Sequence, residues 1–122
     1  MATIVIVEDQ PDNLKLLSTL LTLKGHQVLA LPSGDGLVQL LRTHQPTPEL
    51  VLLDIQLPGR DGYALLQDLH AMEGDHPWQV VALTAHAMPT DRERALAAGF
   101  DGYITKPIDV RTFPATVSAF LP

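Results

Sequence analysis

Two acids stand side by side behind the first apolar run of the chain, Glu8 and Asp9 in "TIVIVED", and a third, Asp54, closes another run in "LVLLD". Three carboxylates brought together repel, and each raises the others' proton affinity unless a cation intervenes. An oxygen-only set of this kind suits a hard divalent ion such as Mg²⁺, which binds through one or two carboxylates and keeps several waters. A hydroxyl, Thr84, closes the run "VVALT", and an ammonium, Lys106, follows "GYIT". A nucleophilic carboxylate, a divalent cation and two donors for phosphoryl oxygens make a set for phosphoryl transfer. A loop that cradles a nucleotide or flavin phosphate is disfavoured. It needs Gly, Ser or Thr presenting backbone N–H groups, whereas "VEDQPDN" presents negative charge.

This chemistry requires that the apolar runs be strands whose ends converge. Short runs at 3–7, 27–30, 50–54, 80–84 and 102–104 alternate with amphipathic segments at 11–24, 33–44, 62–73, 89–98 and 110–120. Five strands interleaved with five helices predict a parallel α/β sheet covered on both faces. "IVIV", "LVLL" and "VVAL" fit the middle of such a sheet, and the more polar "HQVLAL" suits an edge. In a doubly wound sheet ligands sit beyond the carboxyl ends of the strands where the winding reverses. For strand order 2-1-3-4-5 that crevice lies between the first strand, which ends at Glu8 and Asp9, and the third, which ends at Asp54. Taken singly, Asp9 reads equally as a helix cap and Asp54 as the opening of a turn. Thr84 alone reads as a turn residue and Lys106 as a solvated charge. Their joint placement favours the chemical reading.

In segment 11–24, Pro11 suits a first helical turn and Gly25 the position just past the end. Leu14, Leu16, Leu17, Leu20, Leu21 and Leu23 cover nearly half of that helix's surface, centred near Leu17 and Leu20. Leu14 and Leu23 lie at the margins, and either a partner or neighbouring loops would cover them. Pro114 falls inside the last helical segment, so that helix starts nearer Phe113 or is bent. The five histidines show no ligand spacing and read mostly as solvated surface.

Composition narrows the class. The 122 residues are sized for one domain, 46% apolar and aliphatic rather than aromatic. A formal charge of −6 argues against nucleic acid or an anionic membrane as partner. The absence of cysteine rules out disulfides and thiolate metal sites and favours an intracellular, cytoplasmic setting. The N-terminus has no basic region ahead of its short apolar run, so it does not read as a signal peptide, and no apolar stretch reaches ~18 residues.

"IVIVEDQPDN", "LVLLDIQLPGRDGYALL", "VVALTAHA" and "AAGFDGYITKPID" occur in this order along the chain. Together they resemble the receiver domain of two-component response regulators over the whole length, 1–122. The resemblance implies a flavodoxin-like fold, strand order 2-1-3-4-5, that takes a phosphoryl group from a phosphohistidine of a histidine kinase or histidine phosphotransfer protein. It implies Asp54 as phosphoacceptor, Glu8 and Asp9 as the acidic pair holding Mg²⁺, and the backbone carbonyl of Gln56 as a further ligand. Thr84 and Lys106 would bind phosphoryl oxygens, and Tyr103 would be the aromatic switch residue beside Thr84. Gln56 and His86 would sit where phosphoryl lifetime is tuned, and the Lys106–Pro107 bond would be cis. Glu8 stands where Asp is the common residue.

A stand-alone receiver running from Met1 to Pro122 is the expected form, and a receiver module of a hybrid histidine kinase is the alternative. Leu14, near Asp9, is the expected contact for the phosphoryl donor. A downstream partner would read the face formed by 89–98, 102–104 and 110–120. An aspartyl-phosphate phosphohydrolase would need a second acid two residues after the nucleophile, where this chain has Gln56. A phosphorylation-independent interaction module would not need the complete set of acids, Thr84 and Lys106.

Overall fold

The computed structural model describes residues 2–57, 59, 61–72, 76, 78–85 and 88–121. The chain alternates β1 (Thr3–Val7), α1 (Pro11–Leu23), β2 (Gln27–Leu31), α2 (Leu37–Thr43), β3 (Leu50–Asp54), α3 (Gly62–His70), β4 (Gln79–Thr84), α4 (Pro89–Ala98), β5 (Gly102–Thr105) and α5 (Phe113–Ser118). The strands form one parallel sheet in the order β2-β1-β3-β4-β5.

Side chains alternate across a strand, so each strand feeds two cores. Val5, Val7, Val51, Leu53, Val80 and Ala82 face a layer made by Leu37 and Leu41 of α2, Leu65, Leu66 and Leu69 of α3, and Ala95 of α4. Ile4, Ile6, Leu50, Leu52, Val81 and Leu83 face Leu17 and Leu21 of α1 with Phe113 and Val117 of α5. β1 and β3 are buried throughout, as expected of central strands packed on both faces, while β2 is partly open at the edge. Among the described residues no helix is long and apolar enough to cross a membrane.

The limits of α2, α3 and α5 differ from the sequence pattern by more than one residue. α2 starts at Leu37, four residues later than its amphipathic pattern, because Gly36 sits before it at φ 82°, outside helical geometry. α5 starts at Phe113, not Val110, so Pro114 lies in the first turn, where its missing N–H costs no helical bond. It ends at Ser118, and α3 ends at His70. In α1 the fully buried residues are Leu17 and Leu21; Leu14 is half-buried against the α1–α5 core, and Leu23 is 77% exposed. One margin of that helix is thus partly covered and the other open.

α4 is the most polar helix. Ala95 is its buried residue, while Met88 just before it and Leu96 within it are exposed. Arg94 lies over the Tyr63 ring of α3 at 4.5 Å, and Tyr63 meets Phe100 edge-on at 5.7 Å.

Candidate functional site

Because the sheet is parallel, the carboxyl ends of β1, β3, β4 and β5 share one edge. Glu8 follows β1 and is fully buried; its N–H donates to the Leu31 carbonyl at 3.0 Å, and its Oε2 accepts from the Gln10 N–H at 3.2 Å. Asp54 ends β3 and is 2% exposed, and Asp9 is half-buried. One carboxylate oxygen from each of the three lies within 4.8 Å of the others. Asp9 is not a helix cap: the N-cap of α1 is Gln10, and it makes no side-chain cap bond. Asp54 does open a turn, its Oδ1 accepting the Gln56 N–H at 2.8 Å. That turn also orients the carboxylate within the cluster.

Lys106, just past β5, enters the same cluster. Its Nζ donates to Asp54 Oδ2 at 2.8 Å and to Glu8 Oε1, while its backbone N–H donates to the Thr84 carbonyl at 2.7 Å. Burial alone would depress the Lys106 pKa, but the bonds to Asp54 and Glu8 outweigh it and hold the ammonium above its ordinary value. Glu8 is pushed up, first by burial and then by the adjacent Asp54, with Lys106 opposing. Three carboxylates and one ammonium leave a formal charge of about −2, which matches a divalent cation. The oxygen-only donors fit a hard ion of the Mg²⁺ kind.

Thr84 ends β4, 1% exposed, on the sheet face shared by Val80 and Ala82. Tyr103 pairs with Ala82 across β4 and β5 and packs against that same layer. Its hydroxyl is buried and has no hydrogen-bond partner among the described residues; burial raises its pKa. Pro89, Arg92 and Thr105 join it around a surface cavity of about 410 Å³. The Lys106–Pro107 bond is cis, as the resemblance implied, and so is Gln45–Pro46, which the sequence did not suggest. His86 lies outside the described residues.

Residues 4–118 match the family model of the response regulator receiver domain. The chain belongs to that family. The receiver is 37% identical over 119 residues to the polar-differentiation response regulator DivK of Brucella ovis, covering 98% of this chain and 95% of that one. It is 38% identical over 117 residues to the sensor histidine kinase GacS of Pseudomonas protegens; that match takes in 93% of this chain but 12% of the kinase. Among solved structures, the signal receiver domain of a signal transduction histidine kinase from Syntrophus aciditrophicus superposes with a TM-score of 0.83 at 32% identity, covering 99% of this chain and 90% of that one.

The structure therefore gathers Glu8, Asp9, Asp54 and Lys106 into one cluster, with Gln56 two residues beyond Asp54 and Thr84 joined to Lys106 through the backbone. Leu14 lies in the first turns of α1, packed on the core of that layer. Two features escaped the sequence reading. The Glu8–Lys106 pair joins residues 98 apart, and nothing local signals it. The start of α3 lies against the end of β3 through Gly62, whose N–H donates to the Ile55 carbonyl at 2.8 Å. The "DG" of "GRDGY" was its only trace. The described histidines are less solvated than expected. His26 is half-buried, its Nδ1 accepting the Ala2 N–H at 3.0 Å, and His76 stacks on Trp78 at 4.1 Å.

Proposed function

We propose that this receiver takes a phosphoryl group from a phosphohistidine of a histidine kinase or histidine phosphotransfer protein onto Asp54. The observation that carries the reading is the meeting of the Glu8, Asp9 and Asp54 carboxylates with the Lys106 ammonium in a chain of this family. An Asp54 carboxylate oxygen attacks phosphorus; the P–N bond breaks, and its electron pair returns to the imidazole, which picks up a proton. Glu8, Asp9, Asp54 and the Gln56 carbonyl would hold Mg²⁺. When bound, the cation would neutralise carboxylate charge and offset the charge on the phosphoryl oxygens. The Gln56 N–H and the Lys106 ammonium orient the attacking carboxylate. Lys106 is then placed to follow a phosphoryl oxygen as Asp54 becomes an acyl phosphate, and the Thr84 hydroxyl to bind another.

The readout is a change at Tyr103, on the same sheet face as Thr84, that alters the surface of α4, β5 and α5 for a downstream protein. Leu14 is the donor contact we assign on α1. The chain, 1–122, acts as one receiver domain in the cytoplasm, without nucleic acid or membrane as direct partner. It is a phosphoacceptor that assists its own phosphorylation and dephosphorylation, not a turnover enzyme. The near full-length likeness to DivK favours a stand-alone response regulator. The likeness to GacS supports a second reading, a receiver segment of a larger kinase, and the size of the native gene product separates the two.

Incubation with acetyl phosphate and Mg²⁺, followed by intact-mass measurement, tests the proposal. The wild type should gain one phosphoryl group and Asp54→Asn none. Unchanged labelling of Asp54→Asn would place the acceptor elsewhere, and no gain by the wild type would favour a module without phosphoryl chemistry.

A further inference from the structure

The backbone that carries Asp54 is wedged from behind. A Cβ added at Gly62 would stand 2.7 Å from the Asp54 carbonyl oxygen, 2.7 Å from the Ile55 Cα and 3.2 Å from the Asp54 carbonyl carbon. These are backbone atoms of a buried central strand and its exit, which cannot turn aside as the end of a side chain can. Gly62 is itself buried, and its N–H bond to the Ile55 carbonyl fixes the approach at 2.8 Å. On its other side the helix start is held by Asp61, whose Oδ1 accepts the Ala64 N–H at 2.9 Å. The segment so clamped, 54–56, supplies both the carboxylate and the Gln56 N–H that orients it at 2.8 Å.

We infer that Gly62 is a positioning residue of the phosphoacceptor site. By admitting α3 to backbone contact with β3, it fixes where the Asp54 carboxylate stands relative to Lys106, Glu8 and Asp9. The inference rests on Asp54 being the acceptor. A methyl group at 62 cannot be accommodated unless the end of β3 or the start of α3 gives way. The first movement carries the carboxylate out of the register that its partners fill from β1 and β5, and the second breaks the Gly62 N–H bond that holds the Ile55 carbonyl between Asp54 and Gln56. Misplacement by about 1 Å costs on the order of 10²-fold in a positioned reaction.

Gly62→Ala is compared with Gly102→Ala, where the added Cβ would meet the Phe120 ring, a side chain, at 2.3 Å rather than backbone or any part of the site. At saturating Mg²⁺ the labelling rate with acetyl phosphate should fall roughly 10- to 100-fold in Gly62→Ala. In Gly102→Ala, which is merely destabilised, the folded fraction should label at close to the wild-type rate. Equal rates in the two variants would overturn the inference. If the wild type does not label at all, the phosphoacceptor reading fails, and the positioning claim is still decided by the Gln56 amide resonance. That resonance should shift in Gly62→Ala and not in Gly102→Ala; coincidence with the wild type would overturn the claim. Should Gly62→Ala fail to fold, hydrogen exchange of the wild-type Gly62 amide decides. Protection matching the β3 amides supports the clamp, and exchange at an exposed-loop rate overturns it.

Discussion

Replacing Lys106 with Met removes the cation that bridges two buried acids while keeping most of the side-chain volume. Glu8 is 0% and Asp54 2% exposed, against 15% for Lys106, so the carboxylates left behind have little water to turn to. Breaking a buried pair by removing one partner costs about 3–5 kcal/mol, and the slight exposure of Lys106 argues for the lower figure. For a domain of this size ~3 kcal/mol lowers the melting temperature by roughly 10 °C. The loss depends on pH with a definite sign. Glu8 already binds its proton more tightly in the folded state than in the unfolded one. Stability therefore falls as pH rises from the unfolded carboxyl value of 4.5 through the folded one. Without Lys106 that folded pKa climbs further, so the window widens, with a slope of up to about 1.4 kcal/mol per pH unit. Thermal unfolding followed by circular dichroism at pH 5 and pH 8 should show Lys106→Met close to the wild type at the lower pH and well below it at the higher. Mg²⁺ should stabilise the variant more than the wild type, because the ion takes up charge that the ammonium had balanced. A variant within ~3 °C of the wild type at pH 8, with the same pH dependence, would refute the reasoning.

Mg²⁺ should raise the stability of the wild type by about 2.7 kcal/mol at ~100 times its dissociation constant, and Asp9→Ala should lose most of that gain in a melting titration. His26 has a depressed pKa because burial disfavours its charge, so its contribution is complete above 6.5 and declines as pH falls below that value. Denaturant midpoints between pH 7.5 and 5 should drop more for the wild type than for His26→Asn, which keeps an acceptor for the Ala2 N–H; parallel curves would contradict this. Thr84→Ala should still accept a phosphoryl group yet lose the change in Tyr103 ring signals that beryllofluoride, a stable stand-in for that group, produces in the wild type. Equal ring shifts in both proteins would uncouple Thr84 from Tyr103.

The sheet was legible because its central strands are uninterrupted aliphatic runs, and the acids that end them mark the exit of the chain from the core. The candidate site positions stood out for the same reason. An ionisable residue directly after "IVIV" or "LVLL" has no packing role that an apolar residue would not fill better. Helix limits were harder to read. Ser33 to Gly36 carries the helical polarity pattern of α2, yet the positive φ of Gly36 keeps the helix from starting before Leu37, and a polarity pattern carries no information about φ. Pro114 had already narrowed the choices for α5, and the chain took the later start, at Phe113, rather than a bend. Contacts set by packing left little local mark. Glu8 to Lys106 is one such contact, and the approach of Gly62 to Asp54 another, since each is set by how layers settle rather than by any periodicity.

The polarity of α4 has an energetic consequence. Its one fully buried side chain is that of Ala95, a single methyl group worth on the order of 0.8 kcal/mol, and the stacking of Arg94 on Tyr63 adds about 0.5–1 kcal/mol at the surface. α1, by comparison, sinks Leu17 and Leu21 completely, at roughly 1.5–3 kcal/mol each. Sliding or tilting α4 thus forfeits only a small part of what holds the domain together. The helix bordering Tyr103 is fastened more weakly than α1, and a perturbation at the strand ends would meet less resistance there than in the sheet beneath.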